Sequence, residues 1–424
     1  MRSIWFGAAL VAGLFSGVRT GLADEPRPVR WHLGFVEVHP AVDASAVYDD
    51  NIFKVNDTLP RLPIQTTNDI YLTLNPRFAL RIPFERSYVG AGYGWQGFKY
   101  LNAFNNNVDS SIWDTFNNHN VFGEANVKLG RGLGLSLRDD LQRKNLFITA
   151  VDLSTVAPNE RNALRPIGQY HNELKPGATY RFEDSNLDAD AGYTLSSDRF
   201  VEDRFRYLNK EVHVPRARVS YRFFPKTAAF VEGEGYLVRY VDRPAPDSFA
   251  PLDKRNANGW KGWLGAQGNI TSRLTALLAG GWGRLDYATP VLLPSENANT
   301  WLLKAELNEK FSERTKVTLG ASRDYFDSFS TNYYVTTRGY LEVWRALTPD
   351  LAVVLGGNLF RNHYSQPYVR VDTGMLATGK FEFHPLDDDW LKIGAGYARE
   401  QRASSFDWYS YRSNQVFAEA SAEF

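Results

Sequence analysis

The sequence predicts an all-β fold, a closed antiparallel transmembrane β-barrel of about 18 strands (16–18). Apolar residues stand at every second position in one segment after another. Short turns alternate with longer polar loops, and the chain ends on Phe424 at the close of an alternating stretch. Period two puts successive side chains on opposite faces of a strand, which a helix cannot do. Composition agrees. The 424 residues carry 48 Lys+Arg, 48 Asp+Glu and no Cys. Zero net charge gives no basis for a nucleic-acid partner, whose binding rests on basic excess. Lack of cysteine excludes disulfide scaffolds, thiol catalysis and Cys-ligated metal centres. Mean hydropathy is −0.38, and past the first twenty residues no apolar run reaches the ~18 of a spanning helix. A spanning strand needs only ~10 alternating residues.

At the N-terminus, Arg2, the mostly apolar stretch 4–15 and Gly21-Leu22-Ala23 read as a secretory signal, residues 1–23, cut after Ala23. Residues 24–34 then make a short periplasmic segment and 35–424 the barrel. The clearest strand has Ile70, Leu72, Leu74, Pro76, Phe78, Leu80 and Ile82 on one face and Tyr71, Thr73, Asn75, Arg77, Ala79 and Arg81 on the other. The same alternation recurs over 120–129, 133–140, 173–182, 216–223, 301–308 and 316–322. Short turns fall at Pro83–Ser87, Gly130–Gly132, Glu183–Asn186, Pro225-Lys226, Thr271–Arg273, Ser312–Thr315, Thr348–Asp350 and Pro385–Asp389. Polar loops fall at 49–68, 101–118, 144–168, 197–209, 243–257, 287–299, 327–332, 364–367 and 402–407. Eight turns and nine loops join eighteen strands, with short connections at one end and long ones at the other.

Three features direct the apolar face toward lipid. Long charged residues occupy the opposite face in strand after strand and need water. Aromatics expected to point outward gather near strand ends: Tyr180, Phe182, Tyr221, Phe223, Phe311, Phe381 and Phe383 by the turns, and Trp260, Trp301, Tyr325 and Tyr333 by the loops. Val416, Ala418, Ala420, Ala422 and Phe424 form an apolar face that ends on an aromatic, a form that resembles the assembly signal of outer-membrane proteins. Eighteen strands at ~4.8 Å spacing and ~40° tilt close to a diameter of roughly 36 Å. Loops 49–68 and 144–168 are long enough to fold inward and narrow such a lumen.

Near the first strand the chain reads Val42-Asp43-Ala44-Ser45-Ala46-Val47-Tyr48-Asp49-Asp50-Asn51-Ile52-Phe53, then Asn68-Asp69-Ile70 and Leu72-Thr73-Leu74-Asn75-Pro76. This run resembles the putative beta-barrel porin 2 family of Gram-negative bacteria, over residues 42–82. The resemblance implies a barrel in the bacterial outer membrane. Some members are associated with exopolysaccharide production, which implies glycan passage or export, and the family brings no catalytic residues. Asp49, Asp50 and Asn51 are the matching positions, read as fixing the first turn through side chain–backbone hydrogen bonds.

Other motifs have plainer explanations. Gly92-Tyr93-Gly94-Trp95-Gln96-Gly97 fits G-x-G-x-x-G, but lies within an alternating strand and not at a strand-to-helix turn, so close packing beside aromatics explains it better. Asp184, Asp188, Asp190 and Gly192 lack the closing Glu of a calcium loop. The seven His show no H-E-x-x-H spacing, so no metal or other cofactor is expected.

The functional candidates are charges on the lumen face: Arg77, Arg81, Arg138, Lys175, Arg181, Arg216, Arg218, Arg222, Lys304 and Lys316, against Glu124, Asp140, Glu173, Glu232, Glu234 and Glu306. They either pair as a structural network or set up a transverse field that filters solutes. Inward Trp263, Trp344 and Trp390 are candidate platforms for sugar rings. The expected function is non-enzymatic: passive passage of polar solutes, with anionic oligo- or polysaccharide among the candidates. Expected partners are outer-membrane lipids and the barrel-assembly machinery, reached through the C-terminal strand and Phe424. The alternatives are an accessory exit port for secreted exopolysaccharide, disfavoured by the shortness of 24–34, and an outer-membrane hydrolase built from His with Ser or Asp across strands.

Overall fold

The computed structural model describes residues 31–424 apart from 53, 55–67, 103–116, 131, 148–165, 243–255, 289–295, 329–330, 367–368 and 386–389. The expected signal (1–23), residues 24–30 and the bulk of loops 49–68 and 144–168 lie outside the described residues. After a short strand β1 (Trp31–Leu33) come β2 (Val36–Asp49), β3 (Asp69–Phe84), β4 (Ser87–Tyr100), β5 (Asn118–Leu129), β6 (Leu133–Phe147), β7 (Pro166–Arg181), β8 (Leu187–Phe200) and β9 (Lys210–Phe224). They are followed by β10 (Thr227–Tyr240), β11 (Ala257–Asn269), β12 (Leu274–Tyr287), β13 (Ala298–Ser312), β14 (Thr315–Asp327) and β15 (Tyr333–Ala346). The last four are β16 (Leu351–Tyr364), β17 (Arg370–Phe383), β18 (Leu391–Ser404) and β19 (Tyr411–Glu423). Each of β2–β19 pairs antiparallel with its sequence neighbour, and β19 returns to β2 through Gln415↔Asp49 to Glu423↔Ala41. The eighteen-strand closed barrel is the expected one; the expected loops 101–118, 243–257 and 287–299 and the turn Pro385–Asp389 lie largely outside the described residues.

Closure follows from backbone chemistry. In hydrocarbon an unsatisfied N–H or C=O costs several kcal/mol, so a sheet can span only without edges. β1 serves the same need: β19 covers β2 only from residue 41 onward, and β1 pairs with the remaining edge at Val36–Val38. At the tight β5–β6 turn, Gly130 and Gly132 take φ of 57° and 144°, a region open mainly to glycine. Leu319, Leu341, Leu355 and Leu359 are exposed on the outer face, as are the expected turn-end aromatics and Trp260 and Trp301.

The seam between first and last strands is stitched by the first-strand motif. Asp49 is buried. Its carboxylate accepts from its own loop through Asn51 N (2.8 Å) and Lys54 Nζ (3.0 Å), and from β19 through Ser413 Oγ (2.8 Å) and Gln415 Nε2 (2.7 Å). Asp50 accepts from Asn414 N and Nδ2 at 2.7 and 2.6 Å, and Asn51 Nδ2 donates to the Arg412 carbonyl at 2.8 Å. The Asn51–Asp49 bond is the expected turn-fixing contact. The bonds to β19, over 360 residues away, are additional and join the ends of the sheet.

One sequence expectation fails. Tyr325 and Tyr333 point inward, 1% and 8% exposed. β13 and β14 stay paired only as far as Leu303↔Arg323, while β14 and β15 remain paired to Asp327↔Tyr333. The end of the β14–β15 hairpin thus parts from β13 and turns over the lumen, carrying outward-parity residues inside. Gly283 makes this possible: a Cβ there would stand 2.5 Å from the Tyr325 ring.

Asp49→Ala should leave Lys54 with Glu400, at 3.6 Å, as its remaining carboxylate, strand the seam donors of Ser413 and Gln415, and open the seam, at a cost of about 3 kcal/mol. The folded band on unheated SDS gels should convert at lower temperature than wild type, and Asp49→Asn should lie between the two.

Candidate functional site

The inner wall has two regimes. Across β9–β15 the loop-end half is packed with apolar side chains: Val212, Val238, Leu285 and Leu302 are all buried and Tyr325 seals them, while buried Trp263 and Phe230 carry the packing down toward the turns. The Tyr325 hydroxyl lies 3.1 Å from the carbonyl oxygens of both Trp260 and Arg284. Asp327, at the tip of β14, fixes the hairpin to three distant strands. It accepts from Lys210 Nζ of β9 (2.8 Å), the Tyr240 hydroxyl of β10 (2.9 Å) and the Tyr287 hydroxyl of β12 (3.2 Å). Lys261 of β11 donates to Asp324 at 2.7 Å. These chords cross the interior and fill one side of it.

Below this core lies a charge cluster on β9, β10 and β13. Glu232 is buried, with Arg216 at 2.8 Å, Lys304 at 3.7 Å and Arg218 at 3.8 Å. The Arg218 guanidinium carbon stands 3.5 Å from the Phe230 ring centre, and Lys304 Nζ 4.0 Å from that of Trp263. Glu234 lies in the field of Lys304 and Lys261. Elsewhere the candidate charges pair mostly along or between adjacent strands. Arg77 meets Asp43 (2.9 Å), Arg81 Glu37 (3.9 Å), and Arg138 both Asp140 (2.7 Å) and Glu124 (2.9 Å). Lys175 pairs with Glu173, and Asp188 takes Arg222 (3.0 Å) and Arg181 (3.3 Å). Glu306 accepts from Tyr340 at 2.5 Å and Asn308 at 2.8 Å. Lys316 Nζ sits 5.0 Å from the Trp344 ring centre.

Exposure separates the two sides. Arg77, Arg81, Arg138, Lys175, Arg181 and Arg216 keep 44–66% of their side chains accessible, whereas Lys210, Lys261 and Lys380 keep 7–10%. The accessible candidate cations thus lie mainly on β3, β6, β7 and β9, while the loop ends of β2 and β3 join a second packed cluster through Val47 and Tyr71. The tryptophans divide as well. Trp263 is 3% exposed and covered by Lys304, so it has no open face for a sugar. Trp390 lies against Phe424, ring centres 5.2 Å apart, with Trp31 at 6.2 Å on that same terminal ring. Trp344 alone of the three stays half-exposed without an aromatic or buried lid.

The sequence profile of the family described as Putative beta-barrel porin 2 matches residues 31–424. The chain belongs to that family. Its place is the bacterial outer membrane, and as a member it is an outer-membrane β-barrel of the porin class. Among curated proteins none matches it. Among solved structures it is similar to the outer membrane protein opdK of Pseudomonas aeruginosa (TM-score 0.49, 10% identity, 92% of this chain and 100% of that one). It is also similar to OccAB4 of Acinetobacter baumannii (0.47, 10%, 94% and 100%), and to the ferric enterobactin receptor PfeA of Pseudomonas aeruginosa (0.47, 8%, 92% and 80%).

In this porin-family barrel the short-turn end, where Trp31 and Phe424 lie, faces the periplasm and the loops face outward. The G-x-G-x-x-G run lies in β4, where a Cβ on Gly92 would stand 2.4 Å from the Phe122 ring. No group of three metal-ligating side chains occurs among the described residues. His171 and Asp198 form a 2.7 Å pair, but no Ser or Thr hydroxyl bonds to the other His171 nitrogen among the described residues.

The residues that sequence reasoning missed are the chords, above all Lys210, Asp324 and Asp327. Their sequence signal is a Tyr-Phe-Asp run, Tyr325 to Asp327, that closes β14 before a short loop. Asp327→Ala should free the hairpin and widen the loop-end mouth, roughly doubling the single-channel conductance.

Proposed function

We propose that this barrel is a passive channel for polar solutes, anionic oligosaccharide among them, and that permeation follows the half-exposed wall of β2–β9. The observation that carries this reading is the ladder of accessible but ion-paired cations: Arg77, Arg81, Arg138, Lys175, Arg181 and Arg216. Each holds a carboxylate neighbour and still presents donors to water. A solute hydroxyl or carboxylate can take one of those donors without stranding a buried charge, and release it to the next position. Passage requires this, since sites must be weak and repeated. Pairing also moderates charge selection, because opposite signs lie side by side on the wall. The Arg216, Arg218 and Arg222 ladder on β9 adds a local preference for anions around the Glu232 cluster.

Planar-bilayer recording tests the reading directly: discrete current steps are expected, and a barrel that gives none would overturn it. Replacing Arg216, Arg218 and Arg222 together by Gln should shift the reversal potential toward cations, by about two- to threefold in permeability ratio. Glu232→Gln should shift it the other way, since Arg216, Arg218 and Lys304 then lack their shared carboxylate.

A further inference from the structure

The outer surface of β14–β18 carries arginines where the lipid-facing band gives way to the loop end. Arg323 on β14, Arg361 on β16 and Arg399 on β18 recur 38 residues apart and share their strands' outward faces with exposed Leu319, Leu359 and Tyr397. They are the ninth, eleventh and ninth residues of strands rising from the periplasmic turns. At ~3.3 Å per residue and ~40° tilt they stand about 20–25 Å up the wall, at the upper edge of an apolar band ~25 Å tall. This is the depth of lipid headgroups.

Register brings the first two together. Arg323, Thr337, Arg361 and Thr373 lie opposite one another on successive strands. Arg323 Nη1 donates to Thr337 Oγ1 at 2.8 Å, and its guanidinium carbon is 4.6 Å from the Trp301 ring centre. Its Nε is buried with no hydrogen-bond partner among the described residues. Arg361 acts on it as a like charge. Arg361 and Arg399 are exposed, and neither has an ion-pair partner among the described residues. The other polar side chains facing outward at this level on these strands are Thr337, His363, Thr373 and Gln401; none is acidic. Elsewhere on the rim Arg199 pairs with Glu211 and Arg284 with Asp286 at 2.8 Å, and Arg239 is held by two carbonyls and Asn258, whereas exposed Arg143 and Arg412 stand singly without a second arginine in register. Two neighbouring guanidiniums without an anion, flanked by hydroxyls and standing above leucines, match a ligand with phosphate above and acyl chains below.

We infer that Arg323 and Arg361, with Arg399 beside them, bind the phosphates of a phosphorylated glycolipid in the outer leaflet, whose acyl chains run down Leu319, Leu341 and Leu359. The test uses the folded barrel in detergent, with bis-phosphorylated lipid A, its dephosphorylated form and inorganic phosphate as separate probes, read by native mass spectrometry. Wild type should retain the phosphorylated lipid. R361Q/R399Q, which alters only exposed side chains and so preserves the fold, should retain about tenfold less. R345Q, an exposed arginine at the periplasmic end, should match wild type. R323Q joins the series where gel mobility shows it folded, and R361Q alone should already lose several-fold. Equal retention of the dephosphorylated lipid, undiminished retention by R361Q/R399Q, or equal occupancy by inorganic phosphate would overturn the assignment.

Discussion

A sheet in hydrocarbon has nowhere to leave an edge, and the rest of this molecule is organised around that constraint. Each interior strand is satisfied by neighbours a few residues away in the chain. The last junction is different, because β19 must meet β2 across almost the whole sequence. The side chains there supply what local order cannot. Asp49 gathers donors from its own loop and from β19, and Asp50 holds both the backbone and the amide of Asn414. The Asp49 carboxylate is thereby satisfied in a buried place, where a lone charge would be costly.

Given closure, the outer face has one task and the inner face two. Outside, leucines and aromatics meet lipid all round. Inside, β9–β15 behave like half of a soluble core, with aromatic and aliphatic side chains packed beneath a hairpin held by Asp327. The β3–β8 wall carries paired charges whose side chains stay more accessible. The Glu232 cluster lies where the two regimes meet, and it draws cations from β9 and β13 onto one buried carboxylate.

Most of the fold was legible because period two is a local signal: Ile70 and Leu72 reveal their face whatever the strand pairs with. The membership was legible from the run at Asp49–Asn51, yet its role was only half visible, since Ser413 and Gln415 are distant in sequence. Tyr325 and Tyr333 show where parity stops informing. Their alternation is regular, but face assignment presumes that the strand stays in the wall, and β14 leaves β13 after Arg323. Trp263 shows a related limit. Inward was right, but inward does not distinguish a wet wall from a packed one, and that depends on chords such as Lys304 to Glu232 that join non-neighbouring strands. The outward arginines at 323, 361 and 399 were equally present in the sequence, but reading them needed the register that aligns 323 with 361.

The lopsided filling also gives the cylinder unequal stiffness. The β9–β15 arc is braced from within by close-packed side chains and by cross-links from Asp327, so thermal deformation there must disrupt a dense interior. Among the described residues, the β3–β8 arc is tied mainly between neighbouring strands. Breathing of the tube should therefore concentrate on that softer arc, and a bulky traveller would be accommodated by flexing one flank while the other keeps its shape.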